Sequence, residues 1–277
     1  MHAVCRHPLP FQSGIHWHPV DLLQEDQAAS LLRDIRPTHL LHFAWYAVPG
    51  NYWTSAENLR WVEASLALAR TFAECGGQRC VVAGTCAEYA WDGHDGFCRE
   101  DATPLSPATL YGTSKDALRR TLAAFAPLAG FSFAWGRIFS LYGPYEHPSR
   151  LVASMVCALL RGEVAKCGAG GLLRDYLHVA DVADAFVALL DSDLAGPVNI
   201  GSGDGVLLGE LAARLGTIIG CPSRLEIGTR SASAAEPARL VADVGRLKAL
   251  SWTPTHTVES GLAETIDWWR TELAAAG

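Results

Sequence analysis

The chain has 277 residues, 49% of them hydrophobic, and a net charge of −7 at pH 7. That length supports one large α/β unit or two closely joined domains around an extensive core, and the acidic balance argues against a nucleic-acid binder. No apolar run is long enough for a membrane span, and the first ten residues lack the apolar core of a signal peptide.

In chain order, Met1–Arg6 reads as a strand ended by Pro8 and Pro10. His16–Val20 is a second extended piece, followed by Asp21-Leu22. Leu31, Leu32 and Ile35 predict the inward face of a helix over Glu25–Ile35, stopped by Pro37. Leu40 to Ala44 is a short, abruptly bounded apolar run, as a strand buried on both faces would be. A loop rich in aromatics, Trp45 to Trp53, comes next. Thr54-Ser55-Ala56-Glu57 has the capping-box form. It predicts a helix to about Cys75 with Leu59, Val62, Leu66, Ala69, Phe72 and Ala73 on its apolar face. Gly76-Gly77 ends it. Cys80 to Ala83 reads as a buried strand, Thr109–Ala126 as a helix and Phe131–Phe139 as a strand. This alternation predicts a parallel sheet wound on both faces by helices.

After Gly143-Pro144 the rhythm changes. Helices are predicted near Ser149–Leu160, His178–Leu190, Leu207–Ile219 and Val258–Leu273. Between them lie a glycine-rich stretch at 168–171, a short strand at Val198–Ile200 and a Ser/Ala-rich segment. The expected division is a first domain over residues 1–145, joined by 178–202, and a smaller lobe over 146–277. Eight cysteines, at 5, 75, 80, 86, 98, 157, 167 and 221, form no C-x-x-C pair and read as reduced thiols of a cytoplasmic protein.

Tyr111-Gly112-Thr113-Ser114-Lys115 carries the chemistry. Residues four apart share one helix face. A cation beneath a phenol favours the phenolate and lowers a pKa of about 10, which would let Tyr111 give or take a proton near neutral pH. Alone, the pair also fits an ordinary surface helix. His16-x-His18 has the residue types of a metal site but no third ligand in register, so no metal is expected. Gly201-Ser202-Gly203 lacks the spacing of a nucleophile elbow.

Several motifs in a fixed order resemble those of the extended short-chain dehydrogenases/reductases, in the NAD-dependent epimerase/dehydratase family that acts on nucleotide sugars. They are Leu40–Ala44, Asn58, Val82–Tyr89, Pro107 with Tyr111–Lys115, Arg137–Pro144, Arg174–Ala183 and Asn199–Gly203, and they cover nearly the whole chain. The resemblance implies a Rossmann-like doubly wound parallel α/β sheet with a smaller C-terminal substrate lobe. It implies an NADP or NAD cofactor, a nucleotide-sugar substrate, and a homodimer formed by helices Ser55–Cys75 and Thr109–Ala126. By it, Tyr111 moves the proton, Thr85 hydrogen-bonds the same sugar oxygen, and Lys115 holds the phenol's pKa down and reaches the nicotinamide ribose. Arg174 would bind the substrate's diphosphate, for which a guanidinium is suited, or form a surface ion pair. Asn199 would touch substrate or stabilise a turn. Ala44 would border the cofactor. Arg6 would favour the 2′-phosphate of NADP or be a solvated arginine. Asp21 and Leu22 would lie near the adenine, with a helix-capping role for Asp21 equally open. Trp45, Tyr46 and Trp53 are candidates for the sugar pocket or for plain loop packing.

One feature departs from the family pattern. Such folds open with a strand and a G-x-x-G-x-x-G turn that cradles the pyrophosphate. Here the first residues match the family's second strand, and Gly14 is isolated. The expectation is a sheet short of its first strand, because translation starts upstream of Met1 or because tight cofactor binding has been lost. For the reaction, sugar dehydratases carry Asp and Glu directly after the catalytic Thr. Cys86 and Ala87 stand there, with Glu88 one place late. That argues against dehydration; among the family's other chemistries, Gly84–Tyr89 and Arg6 point to NADP-dependent reduction of a 4-keto-6-deoxy nucleotide sugar. The alternatives are a nucleotide-sugar epimerase and, in another class, a non-catalytic nucleotide-sugar-binding remnant.

Overall fold

The computed structural model describes residues 1–7, 14–91, 97–229 and 236–276. The expected breaks at Pro8 and Pro10 and most of the Ser/Ala-rich segment lie outside them. β1 (His2–Cys5) pairs in parallel with β2 (His16–Pro19). α1 (Glu25–Ile35) follows and ends on Arg36 in the left-handed conformation, φ 48°, just before Pro37. A second parallel sheet has the order β10-β6-β4-β3, with β3 (His39–His42), β4 (Arg79–Thr85), β6 (Ser132–Ile138) and β10 (Gly196–Ile200). Among the described residues, no strand joins β1 to β3.

β4 is buried along its whole length, and its side chains alternate between two cores as a strand's period of two requires. Cys80 and Val82 face α2 (Glu57–Glu74) and α3 (Leu110–Ala129), packing with Leu68, Phe72, Leu118 and Leu122. Val81 and Ala83 face α5 (Val179–Leu190), packing with Val182, Ala185, Phe186 and Leu189. β6 repeats the alternation, with Phe133 and Trp135 on the first side and Ala134 on the second. Helices on both faces of a parallel sheet make a Rossmann-like doubly wound fold. Phe72 is fully buried, so truncating it to Ala would cost about 3–5 kcal/mol.

The remaining elements build the other half. β5 (Phe97–Cys98), β7 (Ser140–Tyr142), β9 (Leu173–His178), β11 (Gly205–Leu207) and β13 (Arg239–Ala242) form a mixed sheet. β5 pairs with β13 across a long stretch of chain, and β7 pairs with β9. α4 (Leu151–Leu160), α6 (Leu208–Ile219) and α8 (Val258–Ala276) close a third core, with Val152, Val156, Leu211, Leu215, Leu262 and Ile266 at its centre. β8 (Ala165–Cys167) and β12 (Leu225–Ile227) pair at its edge, and α7 (Gly245–Lys248) is a single turn.

Four local expectations are corrected. β3 is not buried on both faces: Leu40 and Leu41 are half-buried and Phe43 is 47% exposed. Its only described partner is β4, so it is a sheet edge. The capping box ahead of α2 does not form: Ala56 is the cap residue without a side-chain bond, and Ser55 Oγ accepts from Glu57 N at 3.2 Å. α2 is also turned from its apolar reading. Leu59 is 58% exposed while Asn58 and Ser65 are buried, because those two polar groups find partners inside. Asn58 donates to the carbonyls of Tyr52 and Ser55 and accepts from Trp45 Nε1. Ser65 Oγ pairs with His42 Nε2. α3 runs past the expected Ala126, through Pro127, to Ala129, and Gly130 ends it.

Candidate active site

The C-terminal end of β4 sets the site. Thr85 Oγ1 accepts from Ala87 N at 3.2 Å, and Glu88 Oε1 accepts from Thr85 N at 2.9 Å. This reciprocal capping box turns the chain sharply off the strand. Glu88 is fully buried and fully occupied. Its Oε1 also accepts from Trp135 Nε1, and its Oε2 accepts from Arg137 Nε, each at 2.8 Å. Gly84 makes room for that Trp135 ring, since a Cβ there would lie 2.0 Å from the indole nitrogen.

α3 begins against this turn. Thr109 caps it by accepting from Gly112 N. A Cβ on Gly112 would lie 2.3 Å from the Ala87 carbonyl, so only glycine lets the helix approach this closely. The approach brings Tyr111 to the cleft that Thr85 also lines, near enough for the Thr85 hydroxyl to favour the phenolate. Tyr52 and Trp53 frame the Tyr111 ring edge-on, with centroids 4.9 and 5.7 Å away. Tyr111 N also donates to the Trp53 carbonyl.

Lys115, one turn on, is buried. Its Nζ donates to the Ala83 carbonyl at 2.8 Å and lies 3.8 Å from the centre of the Trp45 ring. Burial lowers the ammonium's pKa to about 7, against the pull of Glu88. The expected depression of the Tyr111 pKa is reversed. Burial pushes the phenol above its ordinary value, the nearby Tyr52, Cys86 and Glu88 add to the rise, and the Thr85 hydroxyl opposes it. The reason is geometric: the Lys115 ammonium is directed at the Ala83 carbonyl and the Trp45 face rather than at the phenol oxygen. His42, buried beside Lys115, is held neutral with a pKa of about 3.

Thr85 and Tyr111 border a cavity of about 790 Å³, with Trp53, Glu146, Arg150, Arg174 and Tyr176 on its walls. Arg174, expected at the diphosphate, is on that wall, and its Nη1 donates to the Leu173 carbonyl. Arg150 stacks on Tyr52, 5.2 Å from the ring centre. Burial raises the Glu146 carboxyl to a pKa of about 7. Sequence reasoning missed Glu146, Arg150 and Tyr176. Of the aromatic loop, Trp53 lines the cavity, Trp45 serves Lys115, and Tyr46 lies outside the lining.

Asn199 is a correction. It is fully buried away from the cavity: Oδ1 accepts from Tyr89, and Nδ2 donates to the carbonyls of Cys98 and Asp243. With both Nδ2 hydrogens donated and Oδ1 bonded inside the core, it ties β10 to the mixed sheet and is not directed at the cavity. Arg6 stands exposed just beyond β1. Asp21 accepts from Leu23 N in a turn ahead of α1 and is not the helix cap, which is Gln24. Leu22 packs on the core beneath α1 and α2, and Ala44 is half-buried just past β3.

Comparison with known proteins gives a consistent set. The model of the NAD dependent epimerase/dehydratase family matches residues 2–201. The chain is 35% identical over 173 residues to GDP-L-fucose synthase 1 of Arabidopsis thaliana, covering 57% of this chain and 52% of that protein. It is 29% identical over 174 residues to UDP-glucuronic acid decarboxylase 1 of Xenopus tropicalis, covering 61% and 41%. The chain thus matches about half the length of these curated relatives. Among solved structures, MoeE5 in complex with UDP-glucuronic acid and NAD is 29% identical with a TM-score of 0.83, over 98% of this chain and 91% of that one. The UDP-glucose 4-epimerase of Thermus thermophilus, in complex with NAD, is 26% identical with a TM-score of 0.80, over 94% and 86%.

Proposed function

The chain belongs to the NAD-dependent epimerase/dehydratase family, and from that premise we propose that its cleft reduces a 4-keto-6-deoxy nucleotide sugar with Tyr111 as proton donor. The observation that carries this reading is the Thr85–Tyr111 pair at the cavity, with a phenol that burial keeps protonated. A protonated phenol enters as an acid, which is the role reduction of a ketone requires. Thr85 and Tyr111 would both hydrogen-bond the keto oxygen. As the C=O electron pair moves onto that oxygen, the Tyr111 proton follows it. Arg150 and Arg174 supply the positive wall that a diphosphate needs. Dehydration is disfavoured because Cys86 and Ala87 offer no carboxylate, and every oxygen of Glu88 is already bonded within the core.

The cofactor fits the catalytic end. Lys115 has one acceptor, the Ala83 carbonyl, for a buried group with three donors, so a ribose hydroxyl suits its remaining hydrogens. A bound reduced nicotinamide would supply the hydride. Arg6, exposed at the end of β1, favours NADP over NAD in this reading. Eight free cysteines suit a cytoplasmic protein, and among the described residues no helix is long and apolar enough to cross a membrane. The exposed Leu59 on α2 and Leu128 on α3 suit a homodimer through those helices.

Epimerisation is the second reading, favoured by the likeness to a 4-epimerase. One assay separates the readings. With NADPH and a 4-keto-6-deoxy nucleotide sugar, reduction consumes NADPH in step with product. An epimerase interconverts nucleotide sugars with no net change in cofactor. Binding of nucleotide sugar without either turnover would leave only a non-catalytic role and overturn the proposal.

A further inference from the structure

We propose that His178, His256 and Glu264 form a binding site for a divalent transition-metal ion of the zinc class, with Asp181 orienting His256 from behind. The proposal is independent of the sugar reaction. The three residues come from the end of β9, the loop ahead of α8, and α8 itself. Each offers one ligand atom, and these atoms all lie within 4.8 Å of one another. Zinc–nitrogen bonds of about 2.0–2.1 Å in a tetrahedron place ligand atoms roughly 3.3 Å apart. His256 Nε2 and Glu264 Oε2 are 3.2 Å apart, so that pair already stands at metal spacing.

Two further features point to a ligand. His178 is 2% exposed, and neither of its ring nitrogens has a hydrogen-bond partner. A buried imidazole with both nitrogens unsatisfied is costly, and its ring centre lies only 4.1 Å from that of His256. Asp181 Oδ2 lies 3.0 Å from His256 Nδ1. That is the carboxylate–histidine arrangement that leaves Nε2 free for a metal. Asp181 is itself fixed, accepting from Thr255 N, Thr255 Oγ1 and His256 N. Two imidazoles and one carboxylate select zinc-class ions over magnesium or calcium, which take oxygen ligands. Glu264 is half-exposed, so the fourth position opens to water. A competing account has a protonated His256 bridging Asp181 and Glu264. It leaves both nitrogens of His178 without a partner, whereas a metal would take one of them.

The test is titration of the metal-depleted 277-residue chain with Zn²⁺ by calorimetry and with Co²⁺ by visible absorption. The expected result is one equivalent of Zn²⁺, a tetrahedral Co²⁺ spectrum without thiolate charge transfer, and a thermal midpoint raised by Zn²⁺ but not by Mg²⁺. His256→Ala and Glu264→Gln, both at partly exposed positions, should weaken binding by about tenfold or more. His2, His16 and His18 form a second, exposed imidazole group with 5.2 Å ring stacking. His16→Ala should therefore leave the equivalent of Zn²⁺ in place. Absence of stoichiometric binding, a thiolate-dominated Co²⁺ spectrum, or full affinity in His256→Ala would overturn the proposal.

Discussion

Glu88 Oε2 lies 2.8 Å from Arg137 Nε, and neither side chain is exposed. The same carboxylate holds the Thr85 backbone and the Trp135 indole, so one buried charge fixes the strand end that presents Thr85. Glu88→Ala should leave Arg137 an uncompensated buried cation and destabilise the protein by about 3–5 kcal/mol. Urea unfolding measures it. A loss below about 1 kcal/mol, the range of an exposed pair, would show that the network is dispensable.

Tyr111 should behave as an acid that desolvation keeps protonated. Tyr111→Phe should lower turnover by about 10²–10⁴-fold, the usual weight of a positioned proton donor, with nucleotide-sugar affinity largely kept. The pH profile follows from the sign of the shift. Burial raises the phenol's pKa, so the donor stays protonated past its ordinary value of about 10. Reduction should then show no loss from Tyr111 ionisation across the neutral and mildly alkaline range. A fall in rate centred near neutral pH that vanishes in Tyr111→Phe's residual activity would contradict this.

Lys115 links pH to stability. Its folded pKa is about 7, below the unfolded value of about 10.4. Between those values the unfolded chain binds more protons than the folded one, so this group makes stability rise with pH. Below about 7 both states are charged and the contribution is constant. Compared with Lys115→Met at each pH, the wild type should gain ground from pH 7 to 10. The subtraction removes the thiols of Cys80, Cys86 and Cys98, whose raised pKa values near 12 act in the opposite sense. A difference flat in pH would mean that the ammonium is solvated or better paired than its surroundings indicate.

The sheet and the helix that carries Tyr111 and Lys115 were legible in the sequence for a physical reason. Buried parallel strands and amphipathic helices leave periodic traces, and Y-x-x-x-K sits on a helix whose cap and packing are local. What escaped was set by distant contacts. Leu59 is outside because Asn58 and Ser65 have partners inside. Asn199 is structural because Tyr89, Cys98 and Asp243 close on it from three other segments. Arg150 and Glu146 enter the cavity through the path of the chain after β7, which no local spacing encodes. His178, His256 and Glu264 are likewise brought together only by α8 folding back on β9.

The last expectation concerns the cofactor's phosphates. A pyrophosphate is held best by backbone N–H groups at a glycine-rich turn opening a helix. Gly14 is the only glycine before Gly50. α1 opens on Gln24 behind an Asp21 turn that bonds its own backbone. In the proposed reading Arg6 and Lys115 would meet the two ribose ends, yet neither would replace a row of N–H donors. Two missing charge-assisted hydrogen bonds at roughly 1.5–3 kcal/mol each amount to about 10²–10⁴-fold in affinity. Residues 1–277 by themselves should therefore bind NADPH weakly. Fluorescence titration of NADPH measures this directly, and a chain extended upstream by a strand and a glycine-rich turn should bind far more tightly. Tight binding by the 277-residue chain would mean that its own N-terminal residues build an anion site of another kind.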